Sequence, residues 1–152
     1  MKRKKMQTWY VLLAIAAGAV LPLQVGVNST LRQGIGSPVV AALISFAVGS
    51  ACLLAYAIAS RAAWPSAQML GKLPAWAWIG GALGAYYVAT AILVAPKLGA
   101  ANLVCLTITA QLLASLLLDH YGLIGFAQHG INTARVAGAL LLVAGTVMIV
   151  KY

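Results

Sequence analysis

Five apolar runs, about Thr8–Val27, Pro38–Ala59, Ala75–Ala95, Ala100–Leu118 and Val136–Val150, follow one another along the chain with only short connections between them. A helix needs about 20 residues to cross the hydrocarbon core of a bilayer, and each run meets or approaches that length. Within lipid a segment must satisfy its own backbone hydrogen bonds, which a helix does and a lone strand cannot. The expected fold class is therefore all-α: a polytopic membrane bundle of five transmembrane helices, forming a single transmembrane domain over residues 1–152. With 63% of residues hydrophobic and 7% charged, the chain lacks the polar face that a soluble domain presents to water.

Ten basic residues stand against one acid, Asp119, for a formal net charge of +9. In a soluble protein that balance points to nucleic acid. Here the basic residues sit at the ends of apolar runs, with no basic stripe interleaved with aromatics, so they read as topology signals. With the amino terminus in the cytoplasm, Lys2, Arg3, Lys4, Lys5, Arg61, Lys72 and Arg135 face inward and Arg32, Lys97 and Lys151 outward, seven against three. The amino terminus is predicted inside and the carboxyl terminus outside. Without the tail Lys2–Lys5 the count is three against three, so one short segment carries the preference.

The first run contains Ala17-Gly18-Ala19, which imitates a signal-peptidase site. Apolar character continues through Leu21, Leu23, Val25 and Val27, which favours an uncleaved first span. Pro38 and Pro74 suit first helical turns, and Pro96-Lys97 is expected to close the third run. Trp9, Trp64, Trp76, Trp78 and Tyr152 lie near predicted interfaces, where amphipathic rings settle. The short fifth run is expected to borrow Arg135 by snorkelling. Gly122–Ala134 holds both histidines and too few apolar residues to span, so it reads as a loop or interfacial turn. Cys52 and Cys105 lie inside apolar runs as small hydrophobes, and neither a disulfide nor a metal site is expected. A faint repeat joins Arg32-Gln33-Gly34-Ile35-Gly36-Ser37 to Lys97-Leu98-Gly99-Ala100, each a basic residue and a glycine before a small-residue helix start.

Polar side chains inside spans are costly unless partnered, which makes them the informative positions. Gln24, Asn28 and Arg32 recur every fourth residue along one slanted face of the first helix. Pro22 frees the Gly18 carbonyl and can kink that helix. Thr107, Gln111, Ser115 and Asp119 form a second such stripe, with Gln111 near mid-span. Either stripe serves as the wall of a polar cavity or as glue between helices. Asp119 and His120 are the candidates for proton coupling if any exists; the competing reading is a solvated helix end. Tyr86, Tyr87 and Thr90 place hydroxyls in the third helix, beside Gly80, Gly81 and Gly84 in an arrangement suited to close packing. Arg32 and Lys97 are basic residues placed for gating or for loops. Nothing in the chain offers a nucleophile with its base or a phosphate-binding glycine loop, so neither an enzyme nor a nucleotide cofactor is expected. No acid lies in mid-membrane to hold a cation.

The run Leu23-Gln24-Val25-Gly26-Val27-Asn28 with Leu31-Arg32, followed by Gly36-Ser37-Pro38 and Ser45-Phe46-Ala47-Val48-Gly49, resembles the first hairpin of the YdcZ family, a five-helix branch of the drug/metabolite transporter superfamily. Trp76-Ala77-Trp78-Ile79-Gly80-Gly81, Ala95-Pro96-Lys97-Leu98-Gly99, Gln111-Leu112-Leu113-Ala114-Ser115 and Asp119-His120-Tyr121-Gly122 extend the likeness over nearly the whole chain. Ala110 departs from it, since the family usually has Gly before the Gln. The resemblance implies a bacterial inner-membrane exporter, half of a transporter, completed by an antiparallel second copy or a paralogous partner. The expected function is a secondary transporter that exports a small polar or amphipathic molecule, with Gln24, Asn28, Tyr87 and Gln111 lining the cavity and Thr107 and Ser115 beside them. The alternative is a non-transporting pore or accessory subunit. The expected partners are the lipid bilayer and a small-molecule substrate, without nucleic acid.

Overall fold

The computed structural model describes residues 2–152, with side chains from Gln7 onward; the side chains of the basic tail Lys2–Lys5 lie outside the described residues. Helix α1 spans Lys2–Ile35, α2 Pro38–Ala59, a short α3 Ala67–Gly71, α4 Gly80–Leu98, α5 Ala100–Tyr121 and α6 Thr133–Lys151. Five segments are long and apolar enough to cross a membrane: Gln7–Ile35, Pro38–Ala59, Ala75–Leu98, Ala100–Tyr121 and Thr133–Lys151. No strand occurs among the described residues. The all-α reading with five spans holds.

The helix ends differ from the hydropathy limits because polar residues continue a helix wherever something caps them. Helix α1 runs past Val27 to Ile35, so Asn28 and Arg32 are helical. Pro96 lies inside α4 and does not close it. Helix α5 carries Asp119 and His120 in its last turn and stops at Gly122, which is left-handed at φ +62, the conformation a glycine adopts at least cost. Helix α6 begins at Thr133, three residues before Val136, because the Asn132 side chain accepts from the Arg135 amide and caps it. Pro74 stands one residue ahead of a 3-10 turn, Ala75–Ile79, which leads into α4. Ser66 caps α3 by accepting from the Met69 amide, five residues of helix with no hydropathy signal of their own.

The chain forms two units, Met1–Pro96 and Lys97–Tyr152. In the first, Ala41 and Ala42 of α2 and Val88 and Ile92 of α4 make a buried cluster, against which Leu31, Tyr87 and Ala89 pack. Small side chains allow helix backbones to approach closely, the usual currency of packing in lipid. Gly84 lies under the Phe46 ring, which a Cβ there would meet at 3.4 Å. Gly80 and Gly81 have nothing within 4 Å of an added Cβ, so among the described residues Gly84 is the one of the three that makes the expected close approach.

In the second unit α5 and α6 run antiparallel and are tied at two levels. Thr109 and Thr146 share a hydrogen bond of 2.6 Å, and the Thr146 hydroxyl also reaches the Cys105 carbonyl at 3.4 Å. Ten residues along α5, about 15 Å away at 1.5 Å per residue, Arg135 meets Asp119. Replacing Thr146 by valine keeps the shape and removes the hydroxyl, while Thr109 can fall back on a carbonyl of its own helix. The expected loss is about 1 kcal/mol, typical of such bonds between membrane helices, measurable by detergent unfolding; unchanged stability would mean that packing alone holds the pair. Outward-facing apolar residues such as Leu53 in α2 and Leu141 in α6 are 71% and 74% exposed, which is a surface for acyl chains or a partner helix and not for water.

Candidate functional site

The polar face of α1 is unevenly used. Gln24 is exposed, Asn28 is buried to 5% exposure, and Arg32 is half-buried. Asn28 makes no side-chain hydrogen bond among the described residues, and its amide keeps a small opening to the surface. Next to it, the Ser29 Oγ is buried and also lacks a partner. A single hydroxyl in a long apolar run carries little signal, yet Ser29 stands three residues before Arg32, on the same helical face.

Arg32 explains how Pro96 is tolerated inside α4. A proline has no N–H, so the carbonyl four residues earlier loses its helical donor. That carbonyl belongs to Ile92, whose side chain is fully buried, and the Arg32 Nη1 donates to it at 3.2 Å. The bond joins the carboxyl-terminal ends of α1 and α4, which therefore lie on the same side, as the first and third spans of an alternating bundle must. One N–H of five is used in this way. Tyr87 is half-buried beside the same core cluster, whereas Tyr86 is exposed. Pro22 is half-buried and Lys97 exposed.

On α5 the expected stripe divides. The Thr107 hydroxyl donates within its own helix, with the Leu103 and Val104 carbonyls at 2.9 and 3.1 Å, so it presents no free donor. Gln111 and Ser115 are exposed. Ser115 and Asp119 share a groove with Leu112, Arg135, Gly138 and Ala139 between α5 and α6. In that groove the Arg135 Nη1 donates to the Asp119 Oδ2 at 3.3 Å, each side chain about a third exposed, so Arg135 is engaged with the one acid instead of snorkelling freely.

The segment after α5 folds back on the same end. The His129 amide donates to the Asp119 carbonyl at 2.7 Å, and the Gln128 side chain to the His120 carbonyl at 3.1 Å. The Ile131 amide donates to the His120 Nδ1 at 3.3 Å, which requires that nitrogen to be unprotonated. Asp119 and His120 thus act as a tether for residues 122–132, and Arg135 was the partner that hydropathy did not reveal. A lone acid at a helix end was the available signal, since such a group seeks a cation.

The two hairpin glycines of the faint repeat adopt nearly the same left-handed conformation, φ +83 at Gly36 and +82 at Gly99. The profile of the family described as "Putative inner membrane exporter, YdcZ" matches residues 9–148. No curated protein and no solved structure matches the chain.

Proposed function

The chain belongs to the YdcZ family of inner-membrane exporters, and on that premise we propose that it is a secondary transporter exporting a small polar or amphipathic molecule by alternating access. Family membership points to a transporter and away from an enzyme. It also puts the chain in the inner membrane as an integral protein. The observation that carries the finer reading is the Asn28 side chain, 5% exposed and without a hydrogen bond among the described residues, on a membrane-spanning helix. In lipid such a group is retained where it meets a substrate or an aqueous path.

Within the first unit Gln24, Asn28 and Tyr87 are the proposed substrate-facing residues, and within the second Gln111 and Ser115 are. Energy comes from an ion or proton gradient, because the sequence offers no nucleotide-binding loop. The amino terminus is cytoplasmic in this reading, so the joined ends of α1 and α4 face outward and the Asp119–Arg135 tether faces inward. Five spans form half of the transporter, and the apolar helix faces are completed by an antiparallel copy or a paralogue.

Single cysteines placed at Ser37 and at Gln128, in a background free of Cys52 and Cys105, test the assembly. Labelling from each face of the membrane is expected to find this chain in one main orientation, and crosslinking to trap it against a partner of the opposite orientation, a paralogue or the small inverted fraction of its own copies. Parallel rings of several subunits would instead support a pore and would overturn the transporter reading.

A further inference from the structure

We propose that Asn28, Ser29 and Arg32 form an oxyanion site, and that the exported molecule carries a carboxylate or phosphate group. The inference rests on the transporter reading and names the substrate class for it. The three side chains occupy one face of α1 at spacings of three and four residues. Asn28 is buried without a hydrogen bond, the Ser29 Oγ is buried without a partner, and Arg32 is half-buried. All three can donate, and the guanidinium alone has a fork that fits two oxygens of one anion.

The charge inventory excludes a protein counter-ion from this chain. Its one carboxylate side chain, Asp119, is already paired with Arg135 in the other unit. A second copy would bring only the same acid, similarly paired. The negative end of the α1 dipole lies near Arg32 but occupies none of its N–H groups. What Arg32 holds is the neutral Ile92 carbonyl, at 3.2 Å, freed because Pro96 has no N–H to give. A charged acceptor outcompetes a neutral one for a guanidinium, since charge-assisted bonds are roughly twice as strong. The Ile92 carbonyl therefore keeps the place of an anion: when an oxyanion arrives, the guanidinium exchanges one acceptor for the other, and the tie between α1 and α4 is released. A cation finds no comparable partner in the chain.

An oxyanion at this position has two sources, a soluble substrate or the phosphodiester of a lipid. The test uses full-length protein in a maltoside detergent, followed by its intrinsic tryptophan fluorescence on heating. The probes are benzoate, benzyl alcohol and benzylammonium, which share a ring and differ in charge, together with inorganic phosphate and phosphatidylglycerol. Benzoate or phosphate is expected to raise the melting temperature, benzyl alcohol and benzylammonium to leave it unchanged. Arg32→Gln should weaken anion binding by at least about tenfold, the worth of one charge-assisted pair.

Because Arg32→Gln can also disturb folding, Pro96→Ala supplies a gain that misfolding cannot imitate. Alanine restores an N–H to the Ile92 carbonyl, removes the competing acceptor, and should tighten benzoate binding about threefold, a fraction of a neutral hydrogen bond. Equal shifts with all three ring probes, no shift with any anion, unaltered binding in Arg32→Gln, or a shift with phosphatidylglycerol alone would each overturn the proposal. Flux of benzylammonium through reconstituted protein, without benzoate flux, would overturn the oxyanion site and leave the transporter standing. Benzoate binding that Arg32→Gln abolishes, with no flux of any probe, would keep the oxyanion site and overturn the transporter.

Discussion

Replacing Asn28 and Gln111 together by alanine should abolish export, reducing flux by about a hundredfold or more, while expression and membrane insertion stay at wild-type levels. The expectation that folding survives follows from what each side chain holds. Asn28 is buried but makes no hydrogen bond among the described residues, so its removal leaves no protein group newly unsatisfied and is cheap on that account. Gln111 is exposed in the middle of α5, where alanine is the better helix former. Neither change therefore has a route to large destabilisation.

The loss falls instead on whatever these amides touch during transport. A polar group of the substrate left unpaired in a dry passage costs about 1–3 kcal/mol, and two such losses approach the 2.7 kcal/mol or so that correspond to a hundredfold change. Wild-type flux in the double variant, measured in cells or in reconstituted vesicles at matched protein levels, would reject both residues as cavity walls. Lowered expression with unchanged flux per molecule would return them to the role of helix glue.

Helix number and kind were legible because hydropathy is a local property, averaged over a window as long as a span. Helix ends were not, because they depend on partners far away in the chain. Pro96 looks like a terminator until Arg32, sixty positions earlier, is found on the carbonyl it frees. Asp119 and Arg135 fall outside the apolar limits of α5 and α6, yet they meet and hold both helices to greater length.

For the candidate site, a four-residue spacing says that Gln24, Asn28 and Arg32 share a face. It does not say how deeply each is buried, and on this helix apolar residues surround that face. Burial separates them: Asn28 goes inside and Gln24 does not. Thr107 belonged to its stripe by spacing but spends its hydroxyl on its own helix, an option open to any helical threonine and invisible to periodicity. Ser29 is silent in the sequence because one hydroxyl carries little signal in a long apolar helix. Its distance of three residues from Arg32 was the clue available.

Neutralising Lys2, Arg3, Lys4 and Lys5 should turn a chain of one orientation into a nearly equal mixture of two. Juxtamembrane basic residues gain about 1 kcal/mol each at an anionic cytoplasmic surface, so four of them amount to about 4 kcal/mol, a preference of about a thousandfold. The remaining basic residues divide three and three between the two faces and supply almost nothing. Carboxyl-terminal reporters active on only one side of the membrane read the result: the intact chain should signal outside alone, and the neutralised chain on both sides at similar strength. A neutralised chain that keeps its single orientation would place the topology signal elsewhere and remove the ground for a cytoplasmic amino terminus. The same variant bears on assembly. An antiparallel homodimer needs both orientations in one membrane, which the intact tail opposes and its neutralisation provides. Crosslinked antiparallel homodimers should therefore go from a trace in the intact chain to an abundant product in the neutralised one, while the intact chain, held one way round, depends on a partner that faces the other.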